Sequence, residues 1–215
     1  RQSSDNSSTL PAGGTLTMAG GTTWSSDGAG ARTVAKNLVL NGDVGLATYS
    51  SGALTFSGTV NLDGGTRIVT NVNQVTFSDT MSNGGLEKKG AGTMILSGSS
   101  TLGGTVTITA GTLQIGAGGT AGYLDADGIV NNSALAWNRS DNSSIVDDIS
   151  GSGTLSKDGA GTLILPGNNS YQGTTTINVG AIRLKHASGL GTTDAGTTVA
   201  SGASLQLGDN EITAI

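Results

Sequence analysis

The chain has no cysteine, two prolines and only 3% aromatic residues in a length of 215. The absence of cysteine excludes a disulfide scaffold and any thiolate metal site. It does not exclude an extracellular life, because a chain threaded unfolded through a narrow pore is better off without cross-links. Charged residues make up 12% of the chain, about half the usual share. Ordinary disorder, which combines low hydrophobicity with high net charge, is therefore not indicated. Two prolines without a G-X-Y period exclude collagen. The net charge of −5 and the lack of a basic stripe argue against a nucleic-acid partner. No apolar run approaches the ~20 residues of a membrane-spanning helix.

Helix signals are also scarce. No window sustains apolar spacing at i, i+3 and i+4, and Gly, Thr and Ser interrupt each candidate. What is abundant is glycine, 37 residues, roughly twice the average share. Short stretches alternate polar and apolar residues: TLTM (15–18), ALTFSGTVNL (53–62), TVTIT (105–109), TLQI (112–115) and SLQL (204–207). Such alternation buries one face of a β-strand. Short breaks carrying Gly or Asn separate these stretches at intervals of roughly 7 to 12 residues, as in a sandwich, a barrel or a solenoid.

An internal repeat selects among these. LEKKGAGTMILSG begins at Leu86, and LSKDGAGTLILPG begins 69 positions later at Leu155. Over 86–116 and 155–185, roughly fourteen of 31 positions are identical without a gap. Gly90, Gly92, Gly98, Gly104 and Gly111 fall on Gly159, Gly161, Gly167, Gly173 and Gly180. Leu96 falls on Leu165, Ile108 on Ile177, and Leu113 and Ile115 on Ile182 and Leu184. A unit with a thin apolar face cannot bury a core alone but can do so by stacking on its neighbours. A sandwich would be expected to carry a large aromatic core, and seven aromatics must serve this whole chain. The expected fold is all-β: a single parallel β-helix over 1–215, with rungs of about 20–25 residues and about nine or ten coils.

The second copy, GAGTLILPGNNSYQGTTTINVGAIRL, resembles the autotransporter-associated β-strand repeat, also called the passenger-associated transport repeat. Leu155, Lys157, Gly159, Gly161, Thr162, Leu163, Leu165, Gly167, Asn169, Tyr171, Gly173, Thr175, Ile177, Gly180 and Leu184 carry the likeness. The first copy departs from it at Ser100 and Leu102, which replace Asn169 and Tyr171, and at an extra Lys89. The resemblance implies a right-handed parallel β-helix from the passenger of an exported bacterial protein, cut from a longer chain. It further implies an outer-membrane barrel C-terminal to this piece, and a cell-surface or extracellular location. Passengers of this kind act as adhesins, biofilm factors or stalks, and the repeat is associated with export and folding.

The motif glycines Gly90, Gly92, Gly98 and Gly111 and their partners are expected to supply φ > 0 at corners. Met94, Leu96, Val106, Ile108, Leu113 and Ile115, with their counterparts in the second copy, are expected to point inward; Thr175 interrupts that pattern. The 69-residue spacing suggests a whole number of coils, about three, so Leu96 and Leu165 are expected to point into one interior column.

The chemistry-bearing residues are few. A phosphate-cradling reading of GAGARTVAK (28–36) fails for want of a following helix. The single histidine, His186, has no nucleophile motif beside it and reads as a solvated side chain. Asp147 and Asp148 offer the paired carboxylates of a polysaccharide-degrading β-helix enzyme, but strand neighbours point to opposite faces. DADG (125–128) hints at calcium without the later glutamate of an EF-hand. Trp24, Trp137 and Tyr123 are isolated aromatics that read as packing residues. The expectation is a non-enzymatic chain without catalytic residues, metal or cofactor. Its partners would be a cell-surface or glycan ligand, or further copies meeting through solenoid ends or faces as a fibre.

Overall fold

A computed structural model describes residues 13–26, 28–49 and 52–208. These form 26 short strands and no helix, and all the strand pairs are parallel. The strands fall into sheets of six, seven, nine and four. Within a sheet, neighbours come from successive turns of the chain, which is the topology of a parallel β-solenoid.

One turn shows how the sequence makes a coil. Asn37–Asn41 lies in the six-stranded sheet, Val44–Leu46 in the seven-stranded sheet and Leu54–Phe56 in the nine-stranded sheet. Breaks containing Gly42 and Gly52 separate the three. The next turn repeats the order with Val60–Asn61, Arg67–Asn71 and Val75–Phe77. Apolar residues at alternate positions then face a common interior, because strand side chains have a period of two.

The nine-stranded sheet measures the coil. Its inward column reads Val34, Phe56, Phe77, Leu96, Ile115, Trp137, Lys157, Ile177, Val199. Successive members lie 19 to 22 residues apart, in the lower half of the expected range or just below it. The described residues make nine such coils. At ~4.8 Å per coil the sheet is about 40 Å long.

The interior is an apolar column from Met18 to Leu184, interrupted by a few buried polar residues, among them Lys88, Lys157 and Thr175. Its buried Leu, Ile, Val and Phe side chains each contribute ~1.5–3 kcal/mol of transfer free energy. The aromatics are few but mostly spent inside. Phe56 and Phe77 stack with centroids 5.4 Å apart, and the edge of Trp24 meets Phe56 at 6.4 Å. Trp137 and Tyr171 are fully buried. Trp137 resolves its polar edge by donating from Nε1 to Ser143 Oγ at 2.9 Å.

The upper coils differ from the lower. The six-stranded sheet ends at Tyr123–Asp125, and the four-stranded sheet then takes its turn in chain order, starting at Ser143–Ser144. The seven-stranded sheet ends at Ile149–Ser150. Beyond it that side continues as irregular chain, still stacked through Ser170 N–H to Ile149 O and Gln172 N–H to Gly151 O, both 2.8 Å.

This geometry corrects the expected stacking of the two repeats. Three coils above Leu96 lies Lys157, not Leu165. The segment from Lys157 to Leu165 carries the chain round one more corner, so Leu165 sits in the four-stranded sheet, paired with Leu184. The first copy passes through the seven-, nine-, six-, seven- and nine-stranded sheets in turn, whereas the second alternates between the nine- and four-stranded sheets. The same motif is therefore read on different faces.

Candidate functional site

The repeat corners are where the two copies agree in detail. Met94, Leu96, Val106, Ile108, Leu113 and Ile115 are all buried, as are Leu163, Leu165, Thr175, Ile177, Ile182 and Leu184. Thr175 is tolerated inside because its hydroxyl hydrogen-bonds the Tyr171 hydroxyl at 2.6 Å. Burial pushes the Tyr171 phenol above its ordinary range, against a smaller opposing effect of that bond.

Five of the eight corner glycines do a different job from the one expected. Of those read as positive-φ corners, only Gly90, Gly111 and Gly180 have that geometry. Gly92, Gly98, Gly159, Gly161 and Gly167 do not. Most of these are needed because the preceding coil lies where a Cβ would go. A Cβ on Gly159 would stand 2.0 Å from Arg139 O, and one on Gly161 1.9 Å from Asp141 O. On Gly98 it would meet Asp79 O at 2.2 Å, and on Gly173, Gly153 O at 2.2 Å. Each of these clashes is with backbone one coil earlier. The corner carbonyls of one coil nest against the glycines of the next.

The shelf under Gly159 and Gly161 is itself braced. Arg139 donates from Nε to Asp141 Oδ1 at 2.9 Å and from Nη2 to Oδ2 at 2.7 Å, and from Nη1 to Gly122 O. The hydrogen bond from Arg139 holds the Asp141 carboxyl below its usual range.

Two buried lysines complete the corners, and their role was not legible in the sequence beyond a shared motif letter. Lys88 and Lys157 are both fully enclosed. Lys88 Nζ donates to Lys89 O at 3.0 Å, Gly90 O at 2.7 Å and Ala110 O at 3.0 Å. Lys157 Nζ donates to Gly159 O and, at 3.4 Å, to Val179 O. Burial pushes the Lys88 ammonium down to about 8 and lowers Lys157 in the same direction, with Asp158 opposing the latter.

The Asn169–Tyr171 pair is interior rather than displayed. Asn169 Oδ1 accepts from Ile149 N at 2.8 Å and its Nδ2 donates to Gly189 O at 2.8 Å, so one side chain ties three successive coils. In the first copy, buried Ser100 and Leu102 occupy the equivalent places. Asn71 and Asn131, buried at the ends of strands Arg67–Asn71 and Ile129–Asn131, likewise donate to the coil above, at Thr93 O and Thr154 O. The Oδ1 atom of Asn71 has no hydrogen-bond partner among the described residues.

The other sequence candidates scatter. His186 is half-buried rather than free in solvent, and its Nδ1 accepts from Ser188 N at 3.1 Å. Asp147 Oδ2 accepts from Ala126 N at 3.3 Å, and Asp148 Oδ1 from Asn168 N at 2.8 Å. Burial raises the Asp147 carboxyl above its usual range, and Asp125, Asp127 and Asp148 add to this. Among the described residues no group of three or more His, Asp or Glu side chains is arranged to hold a metal. Tyr123 lies at the surface, on a different strand from Trp24 and Trp137.

A parallel solenoid, knit at its corners by a twice-written motif, defines a class. The family model described as the passenger-associated-transport-repeat matches residues 86–115 and 155–184. The chain is thus a parallel β-helix that carries two passenger-associated transport repeats. Over 82 residues, 38% of this chain, it is 42% identical to the "Adhesin BmaC autotransporter" of Brucella suis biovar 1 (strain 1330). The match spans 2% of that relative's length. No solved structure matches the chain.

Proposed function

We propose that the chain is a non-enzymatic segment of a bacterial passenger, displayed at the cell surface or secreted, that serves as an adhesin or biofilm factor or as the stalk presenting one. The observation that carries this reading is the pair of transport repeats in a chain similar to an autotransporter adhesin. The corner geometry suits such a role. Successive coils are bonded by backbone ladders and by side chains that reach across coils, which makes a rod able to fold by adding one coil to another.

The repeats are proposed to aid export and folding. Coils that lock as they emerge from a narrow pore oppose backward movement of the chain. Replacing Gly159 and Gly161 by valine in the full reading frame should abolish surface display, scored by antibody labelling of intact cells. Display at the native level would remove the basis of this part. The adhesin reading is tested separately, by binding of the purified chain to host-cell surfaces and glycan arrays. Binding to neither would count against the adhesin reading and favour the stalk.

A further inference from the structure

Alternation of apolar and polar residues specifies the register of stacked strands only up to a slip of two. A slip of one residue turns the apolar set outward and is strongly opposed. A slip of two keeps every apolar side chain inside. Within a strand such as Val106–Ile108 the side chains discriminate little against it, so the alignment is set at the corners, where glycines such as Gly111 and Gly180 nest on the coil beneath and the buried lysines bond.

We propose that Lys88 and Lys157 are register locks that admit the following coil in one alignment only. The geometry is the same in both copies, although they lie on different faces. Lys88 stacks under Ile108 and donates to the carbonyl two residues further, Ala110 O. Lys157 stacks under Ile177 and donates to the carbonyl two residues further, Val179 O. Each lysine also donates to the carbonyl two residues ahead in its own coil, Gly90 O or Gly159 O. Among the described residues, neither makes an ion pair with a carboxylate. The inward neighbours in the adjoining strands are apolar: Val69 and Ile108 for Lys88, Trp137 and Ile177 for Lys157.

The ammonium therefore depends on the next coil. Before that coil docks, water serves the remaining N–H. Once it docks, water is excluded and a carbonyl must stand in the right place. A slip of two residues moves that carbonyl by ~6.6 Å and brings up Ile108 O or Ile177 O in its place, carbonyls that already accept from Asn132 N and Ala200 N of the coil above, so the buried ammonium is left with a poorer partner. Such a charge weighs against the slipped state, whereas a hydrophobic side chain of similar volume is indifferent to the slip. This deepens the folding half of the proposed function and rests on that reading. Its test reads alignment rather than display, so either can fail without the other.

The chain has no cysteine, so engineered pairs can trap the register. Ser156 and Thr176 face each other outside the nine-stranded sheet, and Ser156→Cys with Thr176→Cys reports the native alignment. Ser156→Cys with Thr174→Cys reports a slip of two, because the native diagonal of ~8 Å is too long for a disulfide. With Lys157 present, the slipped pair should stay reduced under mild oxidation. With Lys157→Met its yield should rise at least tenfold while the native pair still forms. The parallel series uses Glu87→Cys with Thr107→Cys or Thr105→Cys, with and without Lys88→Met. Equal slipped yields with lysine and methionine overturn the proposal. So does loss of the native pair in both methionine variants, which would assign the lysines to stability and not to alignment.

Discussion

Gly161→Ala is the sharpest test of why the corners need glycine. The added methyl would lie 1.9 Å from Asp141 O, 2.4 Å from Asp141 C and 2.7 Å from Asp141 N. All three are backbone atoms of the coil beneath, so no side chain can rotate away. Gly161 N–H also donates to Arg139 O at 3.0 Å, and separating the coils stretches that bond. Overpacking costs about 1–3 kcal/mol and a lost hydrogen bond about 1 kcal/mol. Gly161 lacks a positive φ. Alanine therefore suffers no backbone strain, and its reduced freedom in the unfolded chain offsets ~0.4–1 kcal/mol. The net expectation is a loss of about 1–3.5 kcal/mol. Gly103→Ala is the control, since a Cβ there meets nothing within 4 Å and φ is again not positive. It should be neutral or stabilising by up to ~1 kcal/mol. Urea unfolding followed by tryptophan fluorescence suits the comparison, because Trp137 is buried in the coil preceding Gly161. A difference between the two variants below about 0.5 kcal/mol, the scatter of ordinary surface substitutions, would refute the nesting argument.

The buried lysine gives a signed pH effect. Lys88 is pushed down to about 8 in the folded chain, against ~10.4 when unfolded. Between these values the unfolded chain holds more protons, so stability should rise from about pH 8 to pH 10, and Lys88→Met should flatten that rise in urea titrations. Tyr171→Phe strands the buried Thr175 hydroxyl and should cost about 1–2 kcal/mol, whereas Tyr171→Phe with Thr175→Val should recover most of it; additive losses in the double-mutant cycle would contradict the pairing. Arg139→Gln should return the Asp141 carboxyl toward its ordinary range, read by NMR titration of its side-chain carbonyl carbon; an unchanged midpoint would mean that the bidentate pair does not form in solution.

The sequence by itself determined the strands, their inward faces and the solenoid. These follow from local rules: a period of two, frequent glycine breaks, and a repeat too thin to hold a core alone. It also marked the glycines and motif letters that gather at the corners. Tertiary structure decided what those letters do. The face on which each repeat copy lies depends on the accumulated lengths of every coil between them, and the chain returns to the column of Leu96 at Lys157, before it reaches Leu165. Gly92, Gly98 and Gly161 look locally like turn residues, yet their need for a missing Cβ comes from the backbone of the coil beneath. Nothing local marks Lys88 and Lys157 as interior. They are interior because the alternation that buries Leu86 and Leu155 also turns the residue two positions on inward, and the carbonyls that make this tolerable belong partly to the next coil.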